Sequence, residues 1–141
     1  MDELRILEKI DELESYNKEL RGVIPKSLEF YMNTKQTRRI CERLLQISIE
    51  CIIDICSLLT KELKLGAPSD EDDMFDKLKD KKIISTDMAN KLKTMKGFRN
   101  ILVHRYSEVD DELVYNFLKN DIEDFASFKN KILVFLRPKK R

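Results

Sequence analysis

The segment 34–64, which contains neither glycine nor proline, is the feature that most constrains the fold of this chain. Its apolar residues recur at helical spacing and cover more than half of a helical wheel. They are Ile40, Leu44, Leu45, Ile47, Cys51, Ile52, Ile55, Leu58 and Leu59. A helix with so wide an apolar surface is packed on several sides, so we predict the central helix of a bundle. The remaining strip of its surface is polar, and its members are Glu42, Gln46, Glu50 and Asp54.

Four further helices are predicted around the central one. They are expected at about 2–20, about 70–80, about 86–104 and about 110–136. Ser69 begins a capping-box pattern that opens the second of these helices, and Ser85 is the predicted cap of the third. The apolar positions of the last helix recur at steps of three and four residues through to Phe135. Each segment therefore has the period of an α-helix with one buried face.

The composition agrees with a helical fold. Glycine and proline number only three each, which argues against a turn-rich β fold. We predict an all-α bundle of about five helices that forms one domain over residues 1–141. The basic tail at 137–141 is expected to be a solvated terminus rather than an RNA-binding element.

Charge and cysteine content narrow the functional class. The net charge is +1, so no global field drives the chain onto nucleic acid or a membrane. No apolar run approaches the roughly 20 residues of a membrane span, and the N-terminus does not resemble a signal peptide. Cys41, Cys51 and Cys56 lie on one predicted helix at spacings that allow neither a disulfide nor a zinc site. We expect a cytoplasmic protein with buried, reduced thiols.

The segment 99–106, Arg-Asn-Ile-Leu-Val-His-Arg-Tyr, contains the only histidine of the chain. On a helical wheel, Arg99 falls with Tyr106 in the middle of an apolar arc. The arc consists of Met88, Leu92, Met95, Leu102 and Val103. Asn100 and His104, four residues apart, line the neighbouring flank. The cation and the imidazole are therefore predicted to border one surface.

An arginine within an apolar arc keeps its charge, so it must be paired, lie in a solvated cleft or lie at an interface. The possible partners that we identify are Glu50 and Asp54, on the polar strip of the central helix. A purely structural ion pair is the simplest explanation of such an arginine. A functional role requires agreement from the rest of the motif.

These residue types suit RNA cleavage without a metal ion. His104 is the predicted general base or acid, because an imidazole titrates near neutral pH. Arg99 is expected to neutralise charge on the phosphate oxygens, and Tyr106 to contact the phosphate or stack on a base. Asn100 is assigned a supporting role. The same groups would also suit simple phosphate binding, and no metal site or cofactor is predicted.

The single histidine has a consequence for assembly. In-line cleavage of RNA uses both a base and an acid, but one chain supplies one imidazole. A symmetric dimer that faces two such helices supplies two imidazoles and two arginines. A dimer cleft also accommodates an arginine within an apolar arc. We therefore predict a homodimer.

The motif and its surroundings resemble the HEPN superfamily, whose signature is Arg, four to six residues and His. The tyrosine two residues after the histidine resembles the HepT branch. Further resemblance lies in 42–50, similar to the central helix of that branch, in 73–78 with Ile83 and Ile84, and in the lead-in 95–100. The resemblance covers about residues 25–135, and residues 1–24 carry no recognised signature.

This resemblance implies a metal-independent endoribonuclease toxin that dimerises around a shared cleft. It also implies a partner, an MntA-like nucleotidyltransferase antitoxin that transfers AMP from ATP to the motif tyrosine. Carried over to this chain, Arg99 and His104 are catalytic, Asn100 is supporting, and Tyr106 is the modified residue. The expected partners are RNA, the antitoxin and a second copy or larger complex, with no membrane. The alternative is a non-catalytic HEPN-like helical module that partners a nucleotidyltransferase.

Overall fold

A computed structural model describes residues 3–137, which form a bundle of α-helices without a β-strand in that range. The helices are α1 (Glu3–Val23), α2 (Leu28–Asn33), α3 (Lys35–Glu62), α4 (Glu71–Asp80), α5 (Thr86–His104), α6 (Asp111–Asn120) and α7 (Glu123–Leu136). A 3-10 turn, Tyr106–Glu108, joins α5 to α6. The predicted all-α fold is confirmed. Residues 138–141 of the predicted basic tail lie outside the described part of the chain.

The helix α3 is the centre of the bundle, as predicted. It packs against α1, α2, α4 and α5, while α7 packs on α1. Six of its nine predicted apolar residues are buried, whereas Ile47 and Leu58 are half-buried. Ile40 differs from the prediction, since it is 47% exposed. The core holds α5 against α3 and α4, and this contact positions the motif.

The helix starts are fixed by side-chain caps. Ser85 Oγ accepts a hydrogen bond from Met88 N at 3.0 Å, which confirms the predicted cap of α5. The predicted cap of α4 is wrong by one residue. Asp70, not Ser69, occupies the cap position, and its Oδ1 accepts from Asp73 N at 2.7 Å. Asp73 Oδ2 accepts from Ser69 N at 2.9 Å, so the residues that cap this helix are Asp70 and Asp73.

The described chain has seven α-helices rather than about five. The short α2 was not predicted, because six residues are too few for a helical period to be recognised. The predicted last helix is divided at Asp121, which adopts φ −119° and ψ 1°. Asn120 and Asp121 are weak helix formers, and α7 restarts at Glu123 with the same apolar face buried.

The three cysteines are free and buried, in agreement with the prediction. Burial raises the pKa of the Cys41 thiol and of the Cys51 thiol to about 11. The same cause raises the pKa of Cys56. None of the helices between residues 3 and 137 is long and apolar enough to cross a membrane.

Candidate active site

Arg99 lies on α5 with most of its side chain buried, since only 15% of it is exposed. The predicted apolar arc around it is buried except at Val103, which is 42% exposed. Arg99 Nη2 donates to Glu71 Oε1 at the start of α4, and Nε donates to Asn100 Oδ1 at 2.9 Å. Among the described residues, Nη1 has no hydrogen-bond acceptor. One edge of the guanidinium is therefore held, and the remaining N–H groups are available to an anion.

The Arg99 pair is the last in a row of three ion pairs that join α5 to α4. The other two connect Lys93 to Asp76 at 2.9 Å and Lys96 to Asp72 at 2.6 Å. Three basic residues at three-residue spacing on α5 thus face acidic residues of α4. The acidic residues in the first turn of α4 complement the helix dipole. They also pair with α5, and the pair with Glu71 directs the Arg99 side chain toward α4.

The predicted pairing of Arg99 with Glu50 or Asp54 is wrong. Asp54 pairs with Lys9 of α1 at 3.4 Å, and Glu50 accepts a hydrogen bond from Gln46 Nε2 at 3.4 Å. Residues four apart on a helix are rotated by about 40° from one another. The polar strip of α3 therefore winds around the helix, and its later members do not face α5.

His104 is the last residue of α5 and is exposed. Its imidazole makes no hydrogen bond or ion pair with any other described residue. Asn100 lies about one turn earlier and bonds to Arg99 rather than to the imidazole. In the structure, Asn100 therefore contacts the guanidinium and not the imidazole. The structure brings Asn100 and Arg99 together, and leaves His104 facing solvent.

Tyr106 does not share a helical face with Arg99, so this prediction is wrong. The helix α5 ends at His104 because Arg105 adopts φ −135° and ψ 48°, outside the helical region. Tyr106 then begins the 3-10 turn, in which Glu108 N donates to Arg105 O at 2.8 Å. The turn directs the phenol toward α3, and its hydroxyl donates to Glu42 Oε1 at 2.7 Å.

The glutamate that receives Tyr106 is almost fully buried, with 4% of Glu42 exposed. Its Oε1 also accepts from Arg39 Nη1 at 3.1 Å, and the Arg39 guanidinium lies over the Tyr106 ring, 4.9 Å from the ring centre. Partial burial of the phenol and its bond to Glu42 raise the pKa of Tyr106, while Arg39 acts in the opposite direction. Tyrosine, glutamate and arginine thus form one connected group.

A shallow groove of about 310 Å³ lies between α3 and the 3-10 turn. It is lined by Arg39, Glu42, Arg43, Gln46, Leu102 and Tyr106. We call it the Tyr106 groove. Arg39 and Arg43 give it two cations, which suits a phosphate-bearing ligand.

The site offers an oriented guanidinium, an exposed imidazole and an arginine-lined groove at one end of the bundle. These groups match the needs of phosphodiester chemistry, namely proton transfer and charge stabilisation. Within residues 3–137 there is no group of three or more His, Cys, Asp or Glu side chains that could hold a metal ion.

Sequence reasoning missed Glu71 and Arg39, and it did not identify the buried position of Glu42. Glu71 is 28 residues from Arg99 and Glu42 is 64 residues from Tyr106, so no local period connects these pairs. One signal was present for Glu42, because it is the first acidic residue of a polar strip on an otherwise apolar helix.

Comparison with known proteins connects this site to a family. The family model described as "Ribonuclease HepT-like" matches residues 6–132, and so includes α1, where the sequence showed no signature. The chain is 34% identical over 84 residues to the mRNA nuclease HepT of Shewanella oneidensis, covering 60% of this chain and 63% of that relative. It is 27% identical over 110 residues to the tRNA nuclease HepT of Aphanizomenon flos-aquae, covering 78% and 75% of the two chains.

A solved structure gives the same relationship. The tri-AMPylated HEPN toxin of Shewanella oneidensis, solved in complex with its MNT antitoxin, superimposes with a TM-score of 0.85 and 28% identity. The match covers 92% of this chain and 96% of that toxin chain. The resemblance predicted from the Arg-His-Tyr motif is thereby confirmed. Since the family model covers nearly the whole sequence and the folds agree, the chain belongs to the Ribonuclease HepT-like family.

Proposed function

We propose that this chain is a metal-independent endoribonuclease toxin of the cytoplasm, a single domain in which Arg99 and His104 are the catalytic residues. Its family and the two HepT nucleases that it resembles support this reaction class. The observation that carries the proposal is the end of α5. There, a guanidinium oriented by Glu71 and Asn100 lies about one turn before an exposed imidazole without a partner among residues 3–137.

The proposed reaction is attack of an RNA 2′-hydroxyl on the adjacent phosphorus. The hydroxyl proton passes to an imidazole, the bond from phosphorus to the 5′-oxygen breaks, and the leaving oxygen takes a proton from a second imidazole. The products are a 2′,3′-cyclic phosphate and a 5′-hydroxyl. Arg99 Nη1 donates to a phosphate oxygen as negative charge develops, while Glu71 and Asn100 hold the other edge of the guanidinium.

A symmetric homodimer supplies the second imidazole, since each chain has a single histidine. Exposed apolar residues support an interface at this end of the bundle. Val103, next to His104, is 42% exposed, and Ile40, next to Arg39 of the Tyr106 groove, is 47% exposed. Their positions on apolar helical faces predicted that both side chains would be buried. A partner surface would cover them.

Tyr106 is the proposed site of AMPylation by an MntA-like nucleotidyltransferase antitoxin. The Shewanella toxin with the same fold is tri-AMPylated and bound to an MNT antitoxin. Tyr106 is also the most accessible tyrosine of this chain, at 44% exposed, whereas Tyr31 is 0% and Tyr115 is 6% exposed. Tyr16 is partly buried. Modification at Tyr106 would place bulk and negative charge beside the site where RNA binds.

RNA cleavage by the purified protein in EDTA tests the nuclease proposal. We expect wild-type protein to cleave RNA and leave 2′,3′-cyclic phosphate ends, and His104→Ala to lose the activity. The matched control for an Arg99→Ala variant is Arg105→Ala, because Arg105 is 63% exposed and pairs only at 3.7 Å with Glu108. Arg105→Ala should retain cleavage. Activity that disappears in EDTA and returns with magnesium would contradict the proposed chemistry.

The non-catalytic binding module remains the second candidate. The observation in its favour is that Arg99 is already paired with Glu71, as in a structural ion pair. The same assay separates the two functions. A module that only binds a nucleotidyltransferase gives no cyclic phosphate ends, and its His104→Ala variant behaves like the wild type.

A further inference from the structure

The contact between Tyr106 and Glu42 is unusual because it joins an exposed phenol ring to a buried carboxylate. Glu42 is 4% exposed and lies on the central helix α3. Its Oε1 accepts from the Tyr106 hydroxyl at 2.7 Å and from Arg39 Nη1 at 3.1 Å. Its Oε2 is buried and has no hydrogen-bond donor among the described residues. A buried carboxylate oxygen without a donor lowers the free energy of unfolding, which indicates that Glu42 has a role beyond packing.

The geometry at the phenol is that of a nucleophile beside a base. A tyrosine hydroxyl attacks a phosphorus atom well only as its proton leaves, so a group that accepts this proton accelerates the attack. Glu42 Oε1 lies within hydrogen-bond distance of the phenol oxygen, at 2.7 Å. Burial and this hydrogen bond raise the pKa of Tyr106, so the phenol is protonated at neutral pH and needs such an acceptor.

The other groups of the Tyr106 groove suit the transferred phosphate. Arg39 already lies over the phenol ring, and Arg43 lines the same groove. Both can contact the phosphate that becomes attached to Tyr106. Glu42 is set deeper than the ring, because its side chain is 5% exposed while Tyr106 is 44% exposed. The phenol can therefore receive a phosphorus atom from the solvent side and release its proton to the buried side.

We propose that Glu42 positions the Tyr106 hydroxyl and accepts its proton during AMPylation. This inference rests on the proposed function, in which Tyr106 is the modified residue and ATP is the AMP donor. The phenol oxygen forms a bond to the α-phosphorus of ATP, the bond from that phosphorus to the pyrophosphate oxygen breaks, and pyrophosphate leaves. The proton of the phenol moves to Glu42 Oε1. Arg39 and Arg43 then pair with the phosphate of the new tyrosine ester.

A purely structural role for Glu42 makes a different prediction. A glutamate that only holds the 3-10 turn in place can be lost without changing how the modification rate depends on pH. Loss of a proton acceptor does change this pH dependence, because hydroxide must then remove the proton of the phenol. The pH profile therefore separates the two roles.

The test measures AMP transfer from α-labelled ATP by a purified cognate nucleotidyltransferase, with Glu42→Gln, Glu42→Asp and wild-type protein. Glu42→Gln is expected to be modified about 100-fold more slowly at pH 7. As the pH is raised above 7, the rate of AMP transfer to Glu42→Gln should rise about tenfold per pH unit, whereas the wild-type rate should not change with pH. Glu42→Asp keeps a carboxylate, so its rate should be lower than that of wild type but equally independent of pH. This variant still decides the question if Glu42→Gln folds poorly. The matched control is Glu50→Gln, because Glu50 lies on α3 and bonds to Gln46.

The outcomes distinguish this inference from the proposed function. If wild-type protein takes up AMP at Tyr106 and the Glu42 variants keep its rate and pH profile, the role of Glu42 is refuted while the proposed function stands. If wild-type protein takes up no AMP, or takes it up at another residue, both this inference and the proposed AMPylation of Tyr106 are overturned, while the nuclease is judged by its own cleavage assay. Glu50→Gln should behave like wild type. An equal loss in Glu50→Gln would show a general effect of altering α3 and would also refute the inference.

Discussion

Replacement of Arg99 by alanine should separate the structural and catalytic roles of this residue. The change removes the ion pair with Glu71, whose side chain is 32% exposed, and the 2.9 Å hydrogen bond to Asn100. A hydrogen bond to a charged group is worth about 1.5–3 kcal/mol. Glu71 remains in the first turn of α4, where the helix dipole stabilises its charge by about 0.3–1 kcal/mol. The net loss in free energy of unfolding should therefore be about 1–2 kcal/mol.

For a chain of this size, that loss lowers Tm by about 3–7 °C. His104→Ala removes an exposed side chain without a partner among the described residues, so its free energy of unfolding should change by less than about 0.5 kcal/mol. In RNA cleavage, by contrast, both variants should lose about 100-fold or more, because each removes a group that acts in the transition state. The two variants should thus be alike in activity and different in stability.

Thermal unfolding followed by circular dichroism, with RNA cleavage measured on the same preparations, tests this reasoning. Glu71→Gln should lower Tm when Arg99 is present. In the Arg99→Ala background the same change should lower Tm little further, because the ion pair is already lost. Equal melting temperatures for Arg99→Ala and His104→Ala would refute the structural role of the ion pair. An Arg99→Ala variant that is less stable but fully active would instead show that Arg99 is only structural.

Two other predictions concern assembly and the thiols. Sedimentation velocity at micromolar concentration should give a mass of about twice the 16.7 kDa of one chain. Val103→Asp should reduce both the dimer fraction and RNA cleavage. A monomer with full cleavage activity would refute the dimer. The raised thiol pKa of about 11 for Cys41 and Cys51 leaves about one thiolate in a thousand at pH 8, so a thiol reagent should react with the three cysteines only after unfolding. Rapid labelling of native protein would contradict their burial.

The long helices and their buried faces could be predicted from sequence because this information is local. In α1, for example, Ile6, Ile10, Leu13 and Leu20 recur at helical spacing, and all four are at most 3% exposed. The start of α5 could be predicted from Ser85, because an N-cap side chain bonds to a backbone N–H only three residues away. Elements shorter than about two turns, such as α2, carry too few positions to show a period.

The contacts of the site could not be predicted in the same way. Whether Arg99 meets α3 or α4 depends on the rotation and crossing of α5, which is set by packing over the whole bundle. The polar strip of α3 read as one surface, but Glu42 at one end is buried against Tyr106 and Asp54 at the other contacts Lys9. The position of Tyr106 depended on a single residue, because Arg105 leaves the helical region and turns the chain.

This turn changes how modification at Tyr106 would silence the nuclease. On the helical wheel Tyr106 falls with Arg99 on one face, so a phosphate attached to it would lie beside that guanidinium. In the structure, Arg99 is held by Glu71 of α4, whereas Tyr106 is held by Glu42 of α3. A phosphate on Tyr106 therefore lies in the groove that Arg39 and Arg43 line, and Arg99 is not among the residues that line it. On the proposed function, AMP then acts by filling the Tyr106 groove and excluding RNA, while the catalytic pair on α5 remains in place.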